Sequence, residues 1–151
     1  ALYDEYFGGG MNSIVFQEMR ETRGLAYSAW ASIMPPSYLK YPYVLRTQIA
    51  TQNDKMAQAI DAFDEIINNM PESEAAFKLA KDGLTNRLRT ERIIKGDIIW
   101  SYINAQDLGQ NVDPRIKLYN DIQNMSLKDI VDFQKQWVKG RTYVYCILGA
   151  G

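Results

Sequence analysis

The residues with the clearest capacity for chemistry lie between positions 7 and 29, where three glycines precede an arginine and then a tyrosine. Arg20 falls on the last turns of a predicted helix, and Tyr27 lies in the first predicted strand. A guanidinium and a phenol at such a corner are hydrogen-bond donors that can hold a peptide carbonyl. No group nearby can perform hydrolysis, so the pattern predicts half of an active site, with Arg20 and Tyr27 as its catalytic candidates.

The glycine run has more than one interpretation. It lacks the Gly-Lys-Ser or Gly-Lys-Thr ending of a phosphate-binding loop, and no strand precedes it in this chain. It could be a plain break in a helix, since each glycine raises the entropic cost of ordering the backbone. The functional alternative is a loop in which the bare backbone of Gly8, Gly9 and Gly10 comes close to a bound peptide.

Arg20 and Tyr27 also have a structural interpretation. The arginine could pair with Glu18 or Glu21 on the helix surface. The tyrosine shares one face of an alternating pattern with Leu25 and its neighbours at every second position, and could therefore face the core. Spacing alone favours this interpretation over the catalytic one.

The composition narrows the possible functions. The chain has 151 residues, 46% of them apolar, which suits one globular domain with a core of its own. A net charge of −1 offers no basic field for nucleic acid, and no apolar run is long enough to span a bilayer. There is no histidine, which excludes an imidazole base, a Ser-His or Cys-His pair and a histidine-containing zinc site. The single cysteine, Cys146, is predicted to be a small buried hydrophobe.

The hydrophobic periodicity predicts the element order α-β-β-α-α-α-α-β. The fold class is α+β, with a mixed, mostly antiparallel sheet and helices packed on one of its faces. The predicted strands are 25–33, 43–50 and 142–148, and the last is apolar enough to be central. A central strand needs neighbours on both sides, so we expect one or more strands upstream of residue 1, and residues 1–151 to be a single truncated domain.

Helical spacing also predicts which side chains face the core. The predicted apolar stripes are Met56, Ala59, Ile60, Phe63, Ile66, Ile67 and Met70 on one helix, and Phe77, Ala80, Leu84 and Leu88 on the next. On the last helix, the side chains expected to face inward are Leu127, Ile130, Val131, Trp137 and Val138. Gly24 is expected to end the first helical region as a left-handed cap, a new helix is expected to start at Ser73, and Ser126 with Asp129 is expected to begin the last helix.

The string that runs from Phe7 through Ser13, Arg20 and Gly24 to Tyr27 resembles the C-terminal-type domains of the pitrilysin/insulinase zinc metallopeptidases, the inverzincins. Those domains carry a glycine-containing stretch, a Ser-x-x-Phe segment, and an arginine seven residues before a tyrosine in a Gly-Leu-Ala-Tyr-like setting. Weaker similarity extends over 75–89 and 125–133. The resemblance therefore covers nearly the whole chain and is most specific over 8–29.

The resemblance implies a division of labour between two domains. Family enzymes hold zinc in an N-terminal domain through an inverted His-x-x-Glu-His motif and a distal glutamate. Nothing of that motif transfers here, so no cofactor is expected in this chain and zinc is expected on a partner domain, in the same polypeptide or in a separate subunit. The C-terminal-type domain closes over the zinc domain, and its arginine and tyrosine reach the scissile carbonyl. Gly8, Gly9, Gly10 and Ser13 would contact the peptide substrate.

Two other functional hypotheses stay open. One is a structural or scaffolding homologue of the same fold, without a part in catalysis. The presence of both Arg20 and Tyr27 argues against it. The other is an unrelated dimerisation module that shares only the helix–hairpin pattern.

Overall fold

The computed structural model describes residues 1–38, 40–92, 94–107, 109–111 and 113–149. Within these ranges helices dominate, and two antiparallel strands form the sheet. The predicted α+β class is therefore confirmed. The predicted order places the hairpin correctly between helical segments, but five helices follow the hairpin where four are predicted.

The elements follow the hydrophobic periodicity closely. The strands are β1 (Ser28–Met34) and β2 (Val44–Ala50). The helices are α1 (Leu2–Phe7), α2 (Ile14–Phe16), α3 (Met56–Asn68), α4 (Glu74–Thr90), α5 (Lys95–Asp107), α6 (Pro114–Asn124) and α7 (Leu127–Phe133). Helices α2 and α7 continue as π-helical turns, Gln17–Thr22 and Gln134–Val138, and a 3₁₀ turn, Asn53–Lys55, precedes α3.

The hairpin has one core face and one outer face. Its register pairs Ser28 with Ala50 and continues to the pair Met34 and Val44. Ala29 and Ala31 point to the helices and are almost fully buried. Because side chains alternate along a strand, those at positions 28, 30 and 32 belong to the outer face. The predicted core face is confirmed at both alanines, and helices α1 and α2 pack against β1 there.

The apolar stripes of the helices form the core beneath this face. Most of the positions predicted from helical spacing on α3 and α4 are buried, and the aromatic side chains of α1 join them. Met56 is an exception because it is exposed, and Ala62 is buried although it was not predicted. The buried residues include Tyr6, Phe7, Ala59, Phe63, Ile66, Ile67, Phe77, Ala80 and Leu84. Short-range periodicity was therefore a sound guide to burial in this part of the chain.

Two tyrosines hold α1 in place. The Tyr6 hydroxyl donates to the Pro71 carbonyl oxygen at 2.9 Å and accepts from the Ser73 N–H at 3.0 Å. Tyr3 donates to the buried side-chain oxygen of Gln134, whose amide nitrogen in turn donates to the carbonyl of Ile67. Burial raises the pKa of both phenols, so they remain neutral donors. These bonds fix the position of α1, and with it the glycine run that follows.

The predicted helix starts are confirmed at two positions. The Ser73 hydroxyl accepts from the Ala76 N–H at 3.2 Å and begins α4. The Asp129 carboxylate accepts from the Ser126 N–H at 2.8 Å, as expected for the capping-box pattern that opens α7. The bonds from the Ser126 N–H and hydroxyl lower the pKa of the Asp129 carboxyl group. Both signals are local, which explains why spacing alone could reveal them.

The predicted last strand is wrong. Residues 142–148 have no regular secondary structure and are exposed, Val144 and Leu148 most of all. Cys146, predicted to be buried, is also exposed. A strand forms only where a neighbour pairs with its backbone, and no strand among the described residues pairs with this segment. High β-propensity was therefore not enough to make it part of the sheet.

The prediction for one residue of the last helix is also wrong. Trp137 was expected to face the core with Ile130 and Val131, but more than half of its surface is exposed. The helix widens into a π turn at Gln134, which rotates later residues relative to the α-helical stripe. Gln134 and Val138 are buried as a result.

Candidate functional site

Arg20 lies on a π-helical turn. The turn covers Gln17–Thr22 and is followed by Gly24, whose φ of 58° is the left-handed value predicted for the end of this helix. The chain then reverses, and the N–H groups of Leu25 and Ala26 both donate to the Met19 carbonyl oxygen, at 2.9 and 3.2 Å. Because Met19 precedes Arg20 and Ala26 precedes Tyr27, these bonds bring the two predicted catalytic positions to one corner of the fold.

The Arg20 side chain lies over an aromatic ring at the surface. Its guanidinium carbon is 5.1 Å from the centroid of the Phe16 ring, and half of the side chain is exposed. Its Nε lies 3.7 Å from a Glu21 carboxylate oxygen. At that exposure the ion pair contributes little to stability, so the guanidinium is available to a second acceptor.

Tyr27 is exposed and sits directly before β1. Its N–H donates to the Ala50 carbonyl oxygen at 2.8 Å, while 64% of its surface remains accessible. The Tyr27 hydroxyl accepts a hydrogen bond from the Gln52 side-chain nitrogen at 2.9 Å. A phenol that accepts this bond keeps its own O–H proton free to donate. The interpretation of Tyr27 as a core-facing strand residue is therefore wrong.

Gly8 is a glycine because β1 passes against it. A Cβ at this position would lie 2.2 Å from the carbonyl oxygen of Ala31, closer than any real contact allows. The Ala31 N–H donates to the Gly8 carbonyl oxygen at 3.3 Å, and so ties the loop to the edge of β1. The first glycine thus has a packing role that the sequence alone did not distinguish from flexibility.

The next two glycines and the serine differ from Gly8. Gly9 and Gly10 are exposed. A Cβ at Gly9 would lie 2.9 Å from the Asp4 carbonyl oxygen, whereas a Cβ at Gly10 would meet nothing within 4 Å. The Ser13 side chain is buried, and its hydroxyl accepts from the Phe16 N–H at 3.4 Å as the cap of α2. Contact with a substrate stays a prediction for all four residues, and the cap is an additional task for Ser13.

A cleft separates the glycine loop from β1. It has a volume of about 460 Å³, within the range of small-ligand sites. One wall is formed by Gly8, Gly9, Gly10, Met11 and Phe16, and the other by Ser28, Ala29, Trp30, Ala31 and Ser32. None of these residues is charged, so the lining of this open cleft is uncharged.

Two arginines lie on the aromatic residues of this cleft. Arg20 stacks on Phe16 from the loop side, and the Arg46 guanidinium carbon lies 5.8 Å from the centroid of the Trp30 ring. Trp30 and Arg46 were not among the sequence candidates. The strand alternation could have shown that both lie on outer-face positions, but only the register of β1 against β2 shows that they meet.

The π turn is tied to α3 by an ion pair. The Arg23 guanidinium is 2.7 Å from a Glu65 carboxylate oxygen and 3.5 Å from a Glu18 oxygen. The Glu65 bond lowers the pKa of that carboxyl group and raises the pKa of Arg23. The pair links the segment that carries Arg20 to the core helix of the domain.

The donor set suits oxyanion stabilisation and not metal binding. Across the described ranges, no three His, Cys, Asp or Glu side chains gather into a group that could ligate a metal ion. A guanidinium and a phenol can instead donate to an oxygen that gains negative charge. No helix in the described part of the chain has the length and apolarity needed to cross a membrane.

Comparison with known proteins places the chain in a family. No curated protein matches it. The crystal structure of a peptidase M16 inactive domain from Pseudomonas fluorescens matches 89% of this chain with a TM-score of 0.61 at 19% identity, which shows a shared fold. The chain spans 32% of the length of that solved protein. The family model described as "Peptidase M16 inactive domain" matches residues 1–84, more than half of the sequence and all of the corner described above. The chain therefore belongs to the peptidase M16 inactive domain family.

Proposed function

We propose that this domain is the non-metal-binding half of an insulinase-like zinc peptidase. It encloses the peptide substrate together with a zinc-bearing partner domain, and that partner performs the hydrolysis. Arg20 and Tyr27 donate hydrogen bonds to the scissile carbonyl oxygen as it becomes charged. The carrying observation is that the backbone bonds to the Met19 carbonyl bring two exposed donors to one corner. Arg20 lies there over Phe16, which lines the uncharged cleft.

The exposure of both donors supports this role. A side chain that must reach a substrate held by another domain has to project from its own domain. The Arg20 side chain is half exposed, and Tyr27 more than half. When a partner domain closes over them, the excluded water strengthens each donor's interaction with a charged oxygen, because the local dielectric falls.

The position of the donors is set before substrate arrives. The two bonds to the Met19 carbonyl and the stacking of Arg20 on Phe16 restrict the corner in the domain alone. Preorganised donors contribute more to a transition state than mobile ones, since no reorganisation is needed during the reaction. The proposal therefore assigns the π turn a positioning role for Arg20.

The decisive experiment is Tyr27→Phe in the complete peptidase that contains this domain. Loss of a donor used only in the transition state should lower kcat by roughly 10²-fold. The substrate KM should stay nearly unchanged, because ground-state binding loses little. Steady-state kinetics on a fluorogenic peptide measures both values.

Tyr119→Phe is the matched control. The Tyr119 hydroxyl accepts from the Arg89 side-chain Nε at 3.1 Å, as the Tyr27 hydroxyl accepts from the Gln52 side-chain nitrogen. Tyr119 lies on α6, outside the corner, so its phenylalanine variant should keep full turnover. Unchanged turnover in Tyr27→Phe, or equal losses in both variants, would remove Tyr27 from the mechanism.

The proposal also predicts that this chain binds no stoichiometric zinc. The chain has no histidine, and zinc sites in proteins are built from histidine, cysteine and carboxylate ligands. Elemental analysis of the purified chain, after dialysis against zinc and then buffer, should give far less than one zinc per molecule. One tightly held zinc per chain would contradict the assignment of the metal to a partner domain.

The alternative is a scaffolding role in an assembly of related domains. The apolar surface of α5 favours it, with Ile98, Ile99, Trp100 and Tyr102 all more than half exposed. A folded partner domain would be the natural cover for that much apolar area. Full turnover in Tyr27→Phe, together with loss of the partner domain on size-exclusion chromatography of Ile99→Asp, would support the scaffold over the catalytic role.

A further inference from the structure

We propose that the cleft between the glycine loop and β1 selects one substrate feature, a bulky apolar side chain next to an acidic residue in an extended peptide. This inference rests on the proposed function, since it names the class of peptide that the domain would hold. Phe16 and Trp30 are the apolar contacts, and Arg46 is the group that pairs with the acid.

The walls of the cleft suit an apolar side chain. The lining carries two aromatic rings, Met11, two alanines and three glycines, with hydroxyl groups only at Ser28 and Ser32. Phe16 and Trp30 are both only partly buried, so a bound group can still remove their remaining surface from water. The volume of about 460 Å³ is large enough for an aromatic or branched side chain.

The three glycines add no side chains to the loop side of the cleft. Gly8 lies against Ala31, and neither Gly9 nor Gly10 adds a side chain above it. An extended peptide can therefore pass over the loop backbone while one of its side chains enters the cleft. The backbone exposed for this contact is that of Gly9 and Gly10, since Gly8 is buried against Ala31.

The charge at the rim of the cleft indicates which type of residue would lie next to the apolar side chain in the bound peptide. Arg46 is exposed on β2 and stacks on Trp30, and no carboxylate of the described residues lies within ion-pair distance of it. Arg20 stands on the opposite rim over Phe16. The nearest carboxylate on α1, that of Asp4, is held by the Ile33 N–H at 2.8 Å and by the Ser32 hydroxyl at 3.3 Å. The Asp4 carboxylate thus lies beside Ser32 at this rim, and Arg20 already pairs with Glu21. Arg46 is therefore the rim cation that lacks an ion-pair partner among the described residues.

Stacking also prepares Arg46 for a carboxylate. A guanidinium that lies flat over an aromatic ring keeps its N–H groups in the plane of the fork, where they can donate to two carboxylate oxygens. An acidic side chain next to the apolar one would lie above Trp30 and meet these donors. A lysine at that position of the peptide would be repelled.

The test measures peptide binding to the chain itself, separately from turnover. The probe is a fluorescein-labelled, end-capped peptide of sequence Ser-Asp-Phe-Asp-Ser-Gly, followed by fluorescence anisotropy. Replacing its Phe by Ala should weaken binding about tenfold, the loss typical of a buried anchor. Replacing both Asp by Lys should also weaken it, and raising the salt concentration should reduce the difference between the two peptides.

Two variants with matched controls locate the binding. Trp30→Ala should weaken binding about tenfold, whereas Trp100→Ala, an equally drastic change on exposed α5, should not. Arg46→Gln should remove the preference for Asp over Lys. Arg89→Gln should retain it, because Arg89 is likewise an exposed arginine stacked on a ring, 5.7 Å from the centroid of Tyr119. Arg46 is a surface residue, so its variant should fold even if Trp30→Ala does not.

The outcomes separate this inference from the proposed function. Equal binding of the Phe and Ala peptides, or binding that depends on Trp100 in place of Trp30, would overturn the inference. Loss of turnover in Tyr27→Phe with no effect of Arg46→Gln on KM would leave the function standing without this specificity. Cleft-dependent binding with normal turnover in Tyr27→Phe would keep the specificity and reject the catalytic donors.

Discussion

Two apolar regions of this domain differ in how far their side chains are buried. Around the corner, the apolar residues of α1, α3 and β1 are buried under the glycine loop and the π turn. On α5 and in residues 142–148, side chains of the same types are exposed. Ile66 on α3 is 1% exposed, while Ile99 on α5 is 65% exposed. Both helices contain three isoleucines, but the apolar side chains of α3 are concentrated on one face, whereas those of α5 are spread around the helix.

The difference teaches that burial depends on neighbours and not on the segment alone. Helix α3 packs beside the π turn, and α1 packs on α4 and β1. Helix α5 has a single buried residue among those described, Ala105. The apolar side chains at the corner are therefore covered by other elements of the domain. Those of α5 and residues 142–148 are exposed and suit contact with other protein.

Truncation of one isoleucine in each region tests this comparison most strongly. Ile66→Ala should lower the free energy of unfolding by about 3 kcal/mol, because it opens a cavity in the core. Ile99→Ala should change it by less than about 0.5 kcal/mol. Urea unfolding followed by far-UV circular dichroism measures both. Equal losses would mean that α5 is packed in solution.

Substitution within the glycine run should show a smaller but equally sharp contrast. Gly8→Ala places its Cβ against the Ala31 carbonyl and should destabilise the domain by about 2 kcal/mol, as overpacking does elsewhere. Gly10→Ala meets open space and should be nearly neutral. The same urea titration compares them. A neutral Gly8→Ala would show that the loop does not lie against β1.

The smallest expected effect concerns the pair that ties the π turn to α3. The pKa of Glu65 is lowered by Arg23, so its contribution is present above the ordinary glutamate pKa and is lost as the pH falls through the lowered value. Glu65→Gln should therefore melt slightly below the parent chain at pH 7. The two melting temperatures should converge as the pH falls below the lowered pKa of Glu65, where the carboxyl group is protonated in the folded and the unfolded chain. A gap that persists at low pH would assign the effect to packing.

Much of the fold could be predicted because its signals are local. Helical spacing identified the buried stripes of α3 and α4, and capping patterns identified the starts at Ser73 and Ser126. The left-handed Gly24 was predicted from its place after an apolar helix. The last strand was wrong because pairing depends on a partner that propensity does not report. The rotation at Trp137 was missed because the spacing argument assumes the α-helical period along the whole helix, and the π turn at Gln134–Val138 departs from that period.

The sequence by itself determined which chemistry is available. Without histidine, imidazole catalysis is excluded, and the spacing from Gly8 to Tyr27 carries a resemblance that the family match supports. Only the tertiary structure decided how those residues meet. The approach of Gly8 to Ala31, the stacking of Arg46 on Trp30 and the cleft between them arise from contacts between segments distant in the chain. Periodicity describes one segment at a time, whereas such contacts depend on how two segments pack.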